Sequence, residues 1–245
     1  MVSANAYRSG DVANVPEVDR NRVYQSNKLI ESSYTLTLQE KRLVLLAASL
    51  IDSKKEAPKD GLVRVTADAF ASVFGVEVRH AYGILAEAVE RLWAREIKRY
   101  ERSKEVEAMR WIYKKEYLEG EGCVEIGFSP TVLPHLTLLN REFTGYTLRH
   151  ISQLNTFYAF RLYELTAQHK KFGEREFELP RLRELLQLEK KYPNVKDLRK
   201  YVLDPCISEI NQHTDLNLSL EPKRKGRSIA GFKIYIEQSA QLPLI

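Results

Sequence analysis

Cysteine is nearly absent from this chain. Only Cys123 and Cys206 occur in 245 residues. They lie far apart and outside any CxxC spacing, so at most one disulfide is arithmetically open. Two buried thiols in a reducing cytoplasm are the expectation. No run of about 18 apolar residues occurs, so neither a spanning helix nor a membrane partner is expected. The opening MVSANAYRSGDVANVPEVD has no basic start leading into an apolar core, so a secretory signal is not expected there. Its polarity predicts a mobile tail over 1–21.

Catalytic signatures are missing too. There is no GxxxxGK[ST] phosphate loop. Gly120-Glu121-Gly122 lacks a third glycine and precedes a strand pattern, so it reads as a turn. The five histidines (His80, His135, His150, His169, His213) include no pair at i, i+2 or i, i+4. That spacing offers no paired-histidine nuclease site. The chain therefore reads as a non-enzyme, with no cofactor and no metal.

What is present is charge in an uneven distribution. The formal net charge is +5. Residues 146–245 hold 17 Lys+Arg against 12 Asp+Glu, and the first 145 hold 21 of each. All excess positive charge sits in the C-terminal half, the half that phosphate would attract. A solvated basic face would give the same count.

The periodicity divides the chain in two. Thr37 with Glu40 three residues on forms a capping box for a helix to about Ile51, with Leu43, Leu46, Ala47 and Leu50 inward. LVRVT alternates as a strand. Thr66 caps a short helix that Gly75 stops. A longer helix spans 76–95, with Leu85, Val89, Leu92 and Trp93 on one face. Strands at 95–101 and 108–118 follow, the second returning as CVEIGF. A short helix is expected at 130–139, and 147–151 reads as extended. A second series then begins: a helix at 152–172, the strand REFELP, a helix at 180–188, another helix from 195, and a hairpin. Leu203, Ile207 and Ile210 repeat the spacing of Leu85, Val89 and Leu92. With the shared order of elements, this argues for a duplicated helix-turn-helix and wing without obvious sequence identity. The expected fold class is α+β. The expected divisions are 1–21 (tail), 22–144 (first winged helix) and 145–245 (second winged helix).

The stretch 195–236 concentrates the chemistry. Lys196, Arg199 and Lys200 are spaced i, i+3, i+4 and share one helix face, with Tyr201 next in line. Arginine and lysine both reach the O6 and N7 acceptors of guanine. Pro205 either breaks or kinks this helix, which is the preferred reading, or follows Asp204 as the first position of a new segment. Lys223, Arg224, Lys225 and Arg227 make a cationic loop between two alternating strands, suited to backbone phosphates. In the first half Arg79, His80 and Tyr82 open the corresponding helix, but Glu77 and Glu87 dilute the charge, and a plain surface face reads equally well. The first hairpin interleaves Arg99, Arg102, Lys104, Arg110, Lys114 and Lys115 with four glutamates, a pattern of solvated or protein-binding hairpins.

The segments VYQSNKLIESSYTLTLQEKRLVLLAASLI and VLDPCISEINQHTDLNLSLEPKRKGRSIAGFKI resemble the two ends of iteron-binding plasmid replication initiators of the RepB type. The likeness spans about 22–237. It implies two winged-helix domains related by pseudo-two-fold symmetry. It implies a monomer that binds tandem origin repeats in double-stranded DNA, and a homodimer, formed through the first domain, that represses its own gene at an inverted-repeat operator. It implies base reading by Arg199 and Lys200, auxiliary contacts near Arg79 and His80, and a host replication initiator and helicase as partners. A dedicated winged-helix transcriptional repressor is the alternative. An origin nickase and a protein-interaction module rank below it.

Overall fold

The computed structural model describes residues 22–101 and 104–239; the expected tail at 1–21 lies outside the described residues. The chain enters on β1 (Arg22–Ser26) and a single turn, α1 (Asn27–Ile30). Thr37 then caps α2 (Leu38–Ser49) as its spacing requires. Its hydroxyl accepts the Glu40 N–H at 3.3 Å, and the Glu40 carboxylate accepts the Thr37 N–H at 2.6 Å. β2 (Leu62–Thr66) delivers Thr66 as the cap of α3 (Ala67–Phe74), and Gly75 ends that helix at φ 65°, a left-handed conformation a β-carbon disfavours. α4 (Val78–Leu92) buries Ala81, Leu85, Val89 and Leu92. β3 (Glu96–Glu101) and β4 (Lys104–Arg110) pair with each other. β5 (Ile112–Leu118) and β6 (Cys123–Phe128) join β2 in the order β2-β6-β5.

The second series repeats this plan. After β7 (Phe143–Thr147), Thr156 caps α5 (Phe157–Ala167). Then come β8 (Glu174–Glu178), α6 (Leu179–Leu185), α7 (Val195–Leu198), α8 (Asp204–His213), and the hairpin of β9 (Leu216–Lys225) and β10 (Ser228–Gln238). The sheet order is β8-β10-β9. In both units the strand before the helix pair lies beside the returning strand of the hairpin. Strand order and element order together make each unit a winged helix, and the fold is α+β by duplication. The β3–β4 hairpin is an insertion that the second unit lacks.

The halves also share identities that the pattern reading missed. Aligned on their caps, α2 and α5 match at Thr37/Thr156, Arg42/Arg161, Leu43/Leu162, Leu46/Leu165 and Ala48/Ala167. The matched arginines act reciprocally. Arg42 donates to the Leu154 carbonyl ahead of α5 at 3.3 Å, and Arg161 donates to the Ile30 and Ser32 carbonyls ahead of α2 at 2.9 and 2.8 Å. Each unit thereby holds the approach to the other's first helix, as a two-fold relation demands.

Several local expectations change. α2 shows no single apolar face: Glu40 to Ala48 are all buried, because the helix is surrounded. The strand expected at 108–118 is two strands, split at the fully buried Trp111. At 130–139 only a 3-10 turn forms, Leu133–His135, because Pro130 and Pro134 remove amide donors. The extended piece at 147–151 is the end of β7 followed by a 3-10 turn. The helix expected over 152–172 is limited to α5, since Thr156 takes the cap position. Trp93 lies one residue past α4 and is 40% exposed instead of inward.

β1 pairs antiparallel with β7, Val23 opposite Tyr146 and Tyr24 opposite Gly145. The division expected at 144/145 thus falls inside a strand that ties the chain's first strand to the entry of the second unit. Beneath that pair lies a fully buried ionic cluster. Glu164 Oε1 accepts from Lys41 Nζ at 2.7 Å, Tyr146 OH at 2.7 Å and Gln25 Nε2 at 2.9 Å. Arg161 donates to Glu164 Oε2 at 3.2 Å and to Tyr34 OH at 2.8 Å, and its guanidinium lies 4.1 Å from the Tyr34 ring centre. Burial pushes the Glu164 carboxyl up, but Lys41 and Arg161 outweigh it and hold it lowered to about 2.

Glu164→Ala leaves two buried cations without their anion and should cost about 3–5 kcal/mol in denaturant unfolding at neutral pH. The folded pKa lies below the ordinary 4.5, so this stabilisation is complete above pH 4.5 and is lost as pH falls toward 2. Acid titration followed by circular dichroism should show a stability decline in that window, and Glu164→Gln should flatten it.

Candidate nucleic-acid interface

Asn194 starts the helical stretch of the second unit: its side chain accepts the Lys196 N–H at 2.9 Å. Leu198, Val202 and Leu203 are buried, while Lys196, Arg199, Lys200 and Tyr201 face outward. The expected cationic face therefore exists. The helix does not break at Pro205, and no new capped segment starts there, because Leu203 and Asp204 both keep helical backbone angles. Residues Arg199–Leu203 instead form a π turn, in which the Asp204 N–H bonds the Arg199 carbonyl. Proline at 205 has no N–H for the Tyr201 carbonyl, and a wider turn accommodates the loss.

The π turn also sets the phase of the helix. At about 100° per residue, Ile210 would lie about 120° around the axis from Leu198; taking up one residue in the wider turn reduces this to about 20°. Both residues are fully buried. Overlaying Leu85 on Leu203 would set exposed His80 against buried Leu198. Shifting by one residue ahead of the π turn pairs Leu198 with the equally buried Ala81.

On the outward face the side chains are arranged by aromatic contacts. Tyr201, 56% exposed, stacks on Tyr192 at 6.3 Å between ring centres, and Lys200 Nζ lies 5.1 Å from the Tyr201 ring. Arg199 Nε donates to both carboxylate oxygens of Asp204, at 3.1 and 3.2 Å.

The expected cationic loop is mostly strand. Lys223, Arg224 and Lys225 lie on β9, and only Gly226 and Arg227 form the turn, between the paired Lys225 and Ser228. Gly226 has φ 63°, which a two-residue hairpin turn requires and glycine holds cheaply. Lys223 is unlike its neighbours. Its ammonium donates to Glu176 at 2.6 Å and Glu178 at 3.1 Å on β8, and the two carboxylates raise its pKa. It reaches them across Gly231, which is register partner to both Lys223 and Glu178 and carries no side chain between them. No carboxylate among the described residues pairs with Arg224, Lys225 or Arg227, and all three are exposed. The tip of this hairpin is therefore open cation, and its base is neutralised.

In the first unit the corresponding cations are paired with acid. Arg79 at the start of α4 is bound to Glu77 at 2.6 Å, with His80 3.7 Å from the same carboxylate. Tyr82 is half-buried and packs against the core. The β5–β6 hairpin ends in Glu119 and Glu121, and its lysines are tied to acid: Lys114 to Glu125 at 3.0 Å, and Lys115 to Glu90. The sequence pattern singled out none of Tyr192, Asn194 and Gly231, and placed Asp204 only as a helix-cap alternative. Only Asn194 had a legible signal, an Asn immediately before a helical run.

Residues 22–167 match the family described as "Initiator Replication protein, WH1", and 178–236 match "Initiator Rep protein, WH2". That family is DNA-binding and non-catalytic. A "Replication initiation protein" of Escherichia coli is 28% identical over 231 residues, covering 91% of this chain and 72% of that protein. The "PI protein" of Escherichia coli is 22% identical over 252 residues, covering 87% and 82%. A crystal structure of Pi initiator protein in complex with iteron DNA has the same fold, with a TM-score of 0.79 at 23% identity and coverage of 91% of this chain and 99% of that one.

The hairpin makes a graded prediction for duplex DNA binding measured across salt concentrations. Arg224→Ala, Lys225→Ala and Arg227→Ala should each weaken binding alike on all sequences and lower the logarithmic salt slope by about one. Lys223→Ala, whose charge two glutamates already offset, should change the slope by clearly less.

Proposed function

The chain belongs to the initiator replication protein family, with the first and second winged-helix parts in order, and on that premise we propose that it initiates plasmid replication by binding tandem origin repeats, iterons, as a monomer. The observation that carries this reading is the duplicated winged helix whose second copy combines an outward Lys196–Arg199–Lys200–Tyr201 face with an unpaired cationic hairpin tip. The helix face suits base edges in a major groove, and Arg224, Lys225 and Arg227 suit the flanking phosphates.

The second winged helix is the principal reader in this proposal. The first, with Arg79 and His80 beside Glu77, serves as auxiliary grip and as the dimer-forming part. Because both units sit on one chain, the second contact forms at high effective concentration once the first is made. Occupied neighbouring repeats would strain adjoining DNA. With no GxxxxGK[ST] motif in the sequence, the free energy for opening would come from binding and from a host initiator and helicase. As a dimer on an inverted repeat, the protein would repress its own gene.

Footprinting on the DNA around its own gene, followed by gel shifts on the sites found, tests this. Tandem copies should be filled one monomer per repeat, and an inverted pair should take a dimer. Binding confined to the inverted pair would make the protein a dedicated repressor.

A further inference from the structure

The Arg199–Asp204 pair is exposed, with 44% and 49% of the two side chains accessible, so it contributes little to stability. Its geometry is nonetheless unusual. In a regular α-helix, residues five apart lie about 140° apart around the axis, too far to meet on one face. The π turn takes up one residue, which returns the pair to about 40°, the separation of ordinary i, i+4 neighbours. The contact exists because the turn exists, and the turn lies where Pro205 withholds an amide hydrogen.

The way the two groups meet also matters. Both carboxylate oxygens of Asp204 approach Nε of Arg199. Among the described residues no acceptor takes either Nη group. The guanidinium is thus held along one edge, and the terminal fork that pairs with guanine O6 and N7 is left open. An unheld arginine at this position would sweep many rotamers and would serve phosphates as readily as bases. Lys200 and Lys196, which have no such carboxylate among the described residues, remain the adaptable cations of the same face.

We propose that Asp204 is a positioning residue for base recognition, holding Arg199 so that it reads one base pair and does not act as a general phosphate contact. This rests on the DNA-reading role proposed above for the second winged helix. It assigns Asp204 a function despite a charge that phosphate repels.

The test uses the full-length protein and a set of duplexes in which each base pair of one bound repeat is substituted in turn. Arg199→Ala identifies the pair that Arg199 reads, as the position where preference for the native base disappears. At that pair Asp204→Ala should reduce the preference about tenfold, with preferences elsewhere unchanged and the thermal midpoint preserved. Asp204→Glu should restore part of it. Removing a negative charge will tighten binding to every duplex, but it does so evenly and leaves the ratio untouched. An Asp204→Ala protein that binds all duplexes more tightly with its preferences intact would overturn the proposal. So would an Arg199→Ala protein whose preferences match those of the unsubstituted protein. If the unsubstituted protein does not distinguish the repeat from unrelated duplex, the DNA-reading assignment itself fails, and this inference falls with it.

Discussion

A carboxylate that cannot leave its two cations governs the architecture. Glu164 on α5 is fully buried with Lys41 from α2 and Arg161 from its own helix. Desolvating three charges is expensive, and the attraction among them compensates only when every remaining donor and acceptor is satisfied. The structure meets most of this condition with Tyr34, Tyr146 and Gln25, and with the Ile30 and Ser32 carbonyls that take the other side of Arg161; Arg161 Nε and Gln25 Oε1 are the cluster atoms left without a partner among the described residues. These groups come from β1, the segment before α2, β7 and both central helices. The cluster therefore works only when the two winged helices are in one relative placement, and a rotation of one unit would strand a buried charge.

Around that fixed junction the copies have diverged in what they present. Topology is the same in both, and the reciprocal Arg42 and Arg161 preserve the symmetry at the centre. At the periphery the second unit shows unpaired arginine and lysine at its hairpin tip, whereas the first shows glutamate. The second helices of the two helix pairs differ by one residue, absorbed as a π turn. That residue lets the apolar side stay in phase with the core while shifting the outward side relative to its counterpart in α4. A duplicated fold can thus acquire distinct surfaces without altering its packing, because the core constrains only the buried phase of each helix.

Much of this was legible in local sequence. Thr37 with Glu40, Thr66 with Gly75, and the alternation in LVRVT and FKIYI mark their elements through short-range hydrogen bonding and period. The cationic helix face follows from the same rules. Errors came where an element's surroundings decide. α2 is buried on all sides because the molecule closes around it, a circumstance invisible to a helix-face argument. Trp93 reads as inward by its helical spacing, but it falls just past the end of the helix. Lys223 looked like part of a basic loop, yet it lies on a strand opposite a glycine, within reach of two acids nearly fifty residues away in sequence.

The caps, the order of elements, the duplication and the location of positive charge are set locally, since each depends on residues within a few positions of one another or on simple sums. Which charges are available is a property of the folded chain. Lys41, Arg42 and Arg161 are interior partners, a placement that the charge pattern does not mark; Arg199 and Lys223 read as equivalent to their neighbours and are individually held. The reason is that an ion pair depends on distance in space, which sheet register and the phase of a helix set, and neither Gly231 between Lys223 and Glu178 nor the π turn between Arg199 and Asp204 has a signature in the linear pattern of charge.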